Sequence, residues 1–134
     1  MSKYMIFRSD QNPDFFPDNT PYGFKVKLPQ VMTLRGDWTV ALTEITFRED
    51  REREDSLYIY TSICSESFIN GESAPLLRRV VSNNKGNILF TPSYYIPVIK
   101  SEISEIEFTL KNEQGYVANH ITNPVSIVLH FASA

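Results

Sequence analysis

Strict alternation of apolar and polar side chains is the feature that most limits what this chain can become. Near the C-terminal end of the sequence, Val125, Ile127, Leu129 and Phe131 alternate with Ser126, Val128, His130 and Ala132, and Pro124 marks the start of the run. A period of two puts one set on each face of an extended strand, whereas the 3.6-residue period of an amphipathic helix is nearly missing from the chain. The pattern recurs. Ile106, Phe108 and Leu110 alternate with Glu107, Thr109 and Lys111 in a strand of about 103–111, ahead of the turn Asn112-Glu113-Gln114-Gly115. Leu57, Ile59, Thr61 and Ile63 alternate with Tyr58, Tyr60, Ser62 and Cys64, and Phe24, Val26 and Leu28 with Lys25 and Lys27. Further strands are expected at 3–8, at 76–82 with Arg78 and Arg79 on opposite faces, and at 88–91 after the turn Asn83-Asn84-Lys85-Gly86.

The segment Asp37 to Arg48 breaks the simple rule: Trp38, Val40 and Leu42 share one face, and Ala41, Ile45 and Phe47 share the other. Either both faces are covered or a bulge shifts the register near Thr43. About eight short strands separated by turn signals, in 134 residues, predict an all-β fold, an antiparallel sandwich or barrel in a single domain spanning 1–134, with helix at most in a short loop. With 42% apolar and 22% charged residues the chain is equipped to bury one core without metal or disulfide staples.

Several function classes fall away. A formal net charge of −3 gives no electrostatic invitation to nucleic acid, and the adjacent Arg78 and Arg79 are too few for a basic groove, so no sequence-specific nucleic-acid partner is expected. Cys64 stands alone, which excludes an intramolecular disulfide, and no Cys/His array suggests zinc. The first residues lack a signal peptide's apolar core, no apolar run reaches membrane-spanning length, and no Asn-x-Ser/Thr acceptor occurs, which together favour synthesis in a reducing cytoplasm or nucleus. Catalysis needs convergent partners. His120 and His130 are ten residues apart, Cys64 alternates with tyrosines on a strand, and neither a Gly-rich phosphate loop nor a G-x-S-x-G elbow is present. An enzyme, a cofactor, a metal and a small-molecule substrate are therefore not expected.

Stiff aromatic loops are the anomaly that remains. The stretch FFPDNTPYGFKVKLP, residues 15–29, holds three prolines and a Pro-Asp-Asn turn signal ahead of a single strand, and Phe15, Phe16, Tyr22, Tyr94 and Tyr95 all sit near prolines in expected loops. Prolines fix the backbone at low entropic cost and so can hold aromatic rings in one presentation. Phe15 and Phe16 either fold back to cap one end of the sandwich or serve an interface, where Tyr and Phe are enriched. The run REDREREDS, residues 48–56, carries three arginines and five acids and cannot be core: it is a solvated loop or a charged contact between subunits. The candidate assembly residues are Phe15, Phe16, Tyr94 and Tyr95, with Arg51 and Arg53 as weaker members.

Five segments in order, FFPDNTPYGFKVKLPQVMTLRGDWTVALTEI, SLYIYTSICSESFINGESAPLLRRV, TPSYYIPV, ISEIEFTLKNEQG and VSIVLHF, resemble proteins encoded by Polinton (Maverick) elements and adintovirus-like genomes. In that family a Pro-Asp-Asn-Thr segment precedes a strand ending in Leu-Pro, and a Gly-Asp/Glu-Trp strand, a Pro-Leu-Leu-Arg segment and a terminal Leu-His-Phe follow. The resemblance implies a single jelly roll acting as a minor capsid (penton) protein of the virion: a homo-oligomer, a pentamer at a vertex, that meets the major capsid protein. The chain is short for a penton protein and has no Arg-Gly-Asp motif, so receptor attachment is not implied. The rival class is a monomeric β-sandwich module that binds a host protein, peptide or glycan. Clustering of the aromatics in one concave patch favours the module, and their separation onto two opposite flanks favours head-to-tail subunit contacts.

Overall fold

The structure, a computed structural model, describes residues 2–48, 56–69, 71–81 and 86–133. Period-two segments become strands throughout. In chain order they are β1 (Ser2–Arg8), β2 (Gly23–Thr33), β3 (Trp38–Thr46), β4 (Ser56–Thr61), β5 (Ser67–Ile69), β6 (Glu72–Ala74), β7 (Leu76–Val81), β8 (Asn87–Leu89), β9 (Ile96–Pro97), β10 (Glu102–Lys111) and β11 (Ser126–Ser133). One sheet has the order β1-β11-β3-β8, with β9 also on β3; the other has the order β2-β10-β4-β7; β5 and β6 form a separate hairpin. Every pairing is antiparallel. The pairs nest: β1 with β11, β2 with β10, β3 with β8 and β4 with β7, so the chain runs out and returns along itself like one long hairpin laid across two sheets.

The two sheets pack as a sandwich because each buries the alternating apolar set recognised in the sequence. Phe7, Ile127 and Ile45 lie in one row of the first sheet, all buried, and Phe24 and Phe108 face them from the second. The Phe108 ring lies 5.3 Å from Phe24 and 5.7 Å from Phe7, so aromatic contacts join the layers as well as neighbouring strands. Each such ring removed from water contributes about 1.5–3 kcal/mol. Trp38 is buried too, and its indole Nε1 donates to the Arg35 carbonyl at 2.9 Å, which satisfies its polar atom.

The ambiguity of Asp37 to Arg48 is resolved by a bulge at the expected place. Leu129 pairs with Leu42 but Val128 pairs with Glu44, which leaves Thr43 as the extra residue; its hydroxyl donates to the Val128 carbonyl at 3.2 Å. Past the bulge Ile45 and Phe47 point inward with Val40 and Leu42. Ala41 lies on the other face beside His130 and is fully enclosed, but Thr39, Thr43 and Glu44 are only partly covered and Thr46 is exposed, so the bulge, not burial of both faces, accounts for the pattern, and Ile45 and Phe47 do not share the face of Ala41.

Eight of the strands match the expected segments. β5, β6 and β9 are additional, β4 stops at Thr61 instead of running to Cys64, and β2 continues beyond Leu28 through Pro29 to Thr33. β2 lies at the border of its sheet, the position in which a missing N–H costs no ladder bond. Gly86, directly before β8, has φ +76°, and a Cβ there would lie 2.9 Å from the Phe47 carbonyl oxygen. Only glycine fits this approach.

Candidate assembly surfaces

The proline-rich loop 10–22 lies along the free border of β2. In β2 the backbone groups of Lys25 and Lys27 point away from β10, and a border strand leaves such groups unpaired. Here the loop's side chains pair them: Asn19 Oδ1 accepts from Lys25 N–H at 2.9 Å, Asn19 Nδ2 donates to the Lys25 carbonyl at 2.9 Å, and Asn12 Oδ1 accepts from Lys27 N–H at 2.9 Å. Asn19 thus reproduces both hydrogen bonds that a neighbouring strand would make. The loop is held to this task by its own turns, Phe16 N–H to the Asn12 carbonyl at 3.0 Å and Asn19 N–H to the Phe16 carbonyl at 3.2 Å.

Phe15 and Phe16 are positioned by those turns on the outside of the same border. Their rings lie 6.5 Å apart; Phe15 is 60% exposed and Phe16 is half-buried. The Lys27 ammonium sits 4.5 Å from the centre of the Phe15 ring, a cation–π contact. A hollow of about 380 Å³ lies between Phe15, Phe16, Phe24, Lys25 and Glu107. Phe16 also lines a second hollow, of about 210 Å³, with Pro13, Pro17, Pro21 and Pro124. Phe16 folds back toward the body, whereas Phe15 stands out into solvent. Tyr22 packs against the core.

Tyr94 lies on the opposite flank against Arg78 of β7, whereas Tyr95 reaches across the outer face of the first sheet to His130 of β11, and the two are tied down by different partners. The Arg78 guanidinium lies 4.0 Å from the Phe90 ring and 4.0 Å from the Tyr94 ring, and its Nη1 donates to the Pro92 carbonyl at 3.3 Å. One arginine thus clamps the loop 90–95. Burial between the rings pulls the Arg78 pKa below the ordinary guanidinium value, with Tyr94 opposing the shift. The Tyr95 hydroxyl is 2.7 Å from His130 Nδ1, and the His130 ring stacks on Tyr4 at 4.3 Å. His130 is accordingly a hydrogen-bonded, partly exposed imidazole on the outer face of the first sheet. Arg51 and Arg53 fall outside the described residues.

Sequence reasoning missed Arg78 as the organiser of loop 90–95. The only signal was the neighbouring pair Arg78-Arg79, whose alternation places one inward and one outward; Arg79 does pair outward with Glu113 at 3.6 Å. It also missed a groove of about 460 Å³ on the outer face of the second sheet, floored by Tyr58 and Tyr60 and bordered by Glu72 and Lys111. Cys64 is fully enclosed, and burial raises its thiol pKa to about 11, far from the depressed value a nucleophile needs. Among the described residues no group of three His, Cys, Asp or Glu side chains is placed to hold a metal ion, and no helix is long and apolar enough to cross a membrane. The chain matches no protein-family model and no curated protein.

Proposed function

We propose that this chain is a structural subunit of jelly-roll type that self-associates head to tail, a minor capsid (penton) protein of a virus-like element. The nested strand pairing, first with last through to β4 with β7, supports the jelly-roll assignment, since eight strands paired in this way make the two Greek keys of that fold. The observation that carries the functional reading is the separation of two aromatic sets: Phe15 and Phe16 outside β2 and Tyr94 against Arg78 of β7, at opposite ends of the strand order, with Tyr95 on the outer face between them. Unlike surfaces on opposite flanks are what a closed ring of identical subunits requires. A pentamer at a capsid vertex, in contact with the major capsid protein of the virion, is the form suggested by the resemblance to the Polinton and adintovirus-like family. This role calls for no catalysis, cofactor or metal.

The test is assembly itself. Replacing Phe15, Phe16, Tyr94 and Tyr95 together by alanine should abolish the assembled species seen by light scattering while the monomer still melts cooperatively; an assembly that survives all four substitutions contradicts the reading. The Tyr58–Tyr60 groove favours a second reading, a binding module, because it is concave, aromatic-floored and carries polar side chains at its rim. A monomer at every concentration whose glycan or peptide binding is lost on Tyr60→Ala would put that reading first.

A further inference from the structure

The borders differ in how they end. In the second sheet β2 is blunted by Asn12 and Asn19, while on β7 the Arg78 side chain meets the loop 90–95. In the first sheet β1 and β8 lie at the ends of the strand order. The hydrogen bonds fix which of their groups face outward. Ser9 N–H donates to the Val125 carbonyl at 2.9 Å, so the bonded pairs of β1 with β11 fall at Phe7, Met5 and Lys3, and the N–H and C=O of Ile6 and Tyr4 point away from β11. The next outward residue, Arg8, has its N–H taken by Gln11 Oε1 at 3.2 Å and its carbonyl by Gln11 N–H at 3.2 Å. On the far border, Phe90 N–H donates to the Thr43 carbonyl at 3.0 Å and Phe47 N–H to the Gly86 carbonyl at 2.8 Å, so the backbone groups of Asn87 and Leu89 face outward from β3. Among the described residues no backbone partner is found for these outward groups of Tyr4, Ile6, Asn87 and Leu89.

We infer that the β1 border of one copy pairs with the β8 border of a second copy, so that the first sheet continues from subunit to subunit. This rests on the self-association proposed above and adds a backbone contact to the aromatic ones. Four observations favour a second copy as the occupant. Direction is right: each neighbour along β1-β11-β3-β8 is antiparallel, so β8 runs opposite to β1, and rotation about an axis roughly along the strands brings them together antiparallel. Register is right: Tyr4 against Leu89 and Ile6 against Asn87 pairs all the outward groups named. The side chains agree, since Tyr4, Ile6 and Leu89 lie on the outer face at 68%, 67% and 69% exposure and would cover one another. A groove of about 410 Å³ between β1 and β2, lined by Met5, Leu28, Val31 and Met32 among others, adjoins the β1 border and offers room for apolar side chains of the arriving flank. Strand addition of this kind draws affinity from backbone hydrogen bonds and specificity from such pockets.

Proline at an outward-facing border position removes a donor for the partner without removing one from the sheet. Ile6→Pro and Leu89→Pro should therefore each fold as monomers, with the concentration for half-assembly raised roughly tenfold or more. Mixed one to one, they should form a dimer and stop, because each variant keeps one competent border. Hydrogen exchange on the assembled wild-type chain should show protection at the amides of Tyr4, Ile6, Asn87 and Leu89 that the monomer lacks. Ile6→Thr, which keeps the amide, should still assemble and guards against a folding defect in the proline variants. Assembly with unprotected amides, or proline variants that assemble normally, would overturn the pairing and leave self-association standing. A wild-type chain that remains monomeric would overturn both.

Discussion

Strands β1 and β2 sit together on one flank, close enough to share a groove, yet their free borders are treated in opposite ways. Along β2 a loop of prolines and asparagines supplies three hydrogen bonds to Lys25 and Lys27, and Pro29 removes a donor farther on. Along β1 the corresponding groups of Tyr4 and Ile6 face outward beside exposed apolar side chains. Natural sheets blunt open borders because they template pairing with other chains. One border is blunted and its neighbour left open, and this contrast is what the proposed pairing would use.

Both borders are mounted on one core, and Phe108→Ala should lower the unfolding free energy by about 3–5 kcal/mol, as measured by urea denaturation. A small effect would mean that the layers are not joined as described. Cys64 offers a smaller probe of the same interior. Its thiol pKa is raised in the folded state to about 11, so its contribution is fully present below the unfolded-state value and is lost as pH rises through the folded one. Stability should therefore fall by about 2 kcal/mol more steeply between roughly pH 9 and 11 in the wild type than in Cys64→Ala.

The borders themselves respond next. Asn19→Ala should cost about 1–2 kcal/mol by leaving the Lys25 N–H and C=O without partners, and it should accelerate amide exchange at Lys25. Asn19→Asp, which keeps the acceptor and loses the donor, should fall between the two. Unchanged exchange at Lys25 would remove the argument that the loop protects this border. On the far flank Arg78→Lys replaces a planar cation held between two rings with a point charge, and about 1 kcal/mol should be lost together with protection of residues 90–95. Lys25→Ala should change stability by less than about 0.5 kcal/mol, since its 3.8 Å pair with Glu107 is solvent-exposed.

Period two made most of the sandwich legible, because each strand hides one face and exposes the other. Phe24-Val26-Leu28 and Ile127-Leu129-Phe131 needed nothing beyond alternation, and the conflict between Trp38-Val40-Leu42 and Ile45-Phe47 announced the bulge at Thr43. β9, two residues long and ending in Pro97, carries too short a pattern to read, and Pro29 hid the extension of β2. The candidate surfaces were legible as residue types but not as places. Proline and aromatic content marked Phe15, Phe16, Tyr94 and Tyr95, whereas the place each occupies depends on strand order. Asn12, Asn19 and Arg78 were invisible as organisers because their roles depend on groups 15, 6 and 14 residues away in sequence.

Unlike flanks are proposed to make this chain associate with itself. Light scattering coupled to size exclusion, over a range of protein and salt concentrations, tests it most directly. A discrete closed species at a fixed multiple of the 15.4 kDa chain should grow in with concentration. A single 15.4 kDa monomer under all conditions would contradict it.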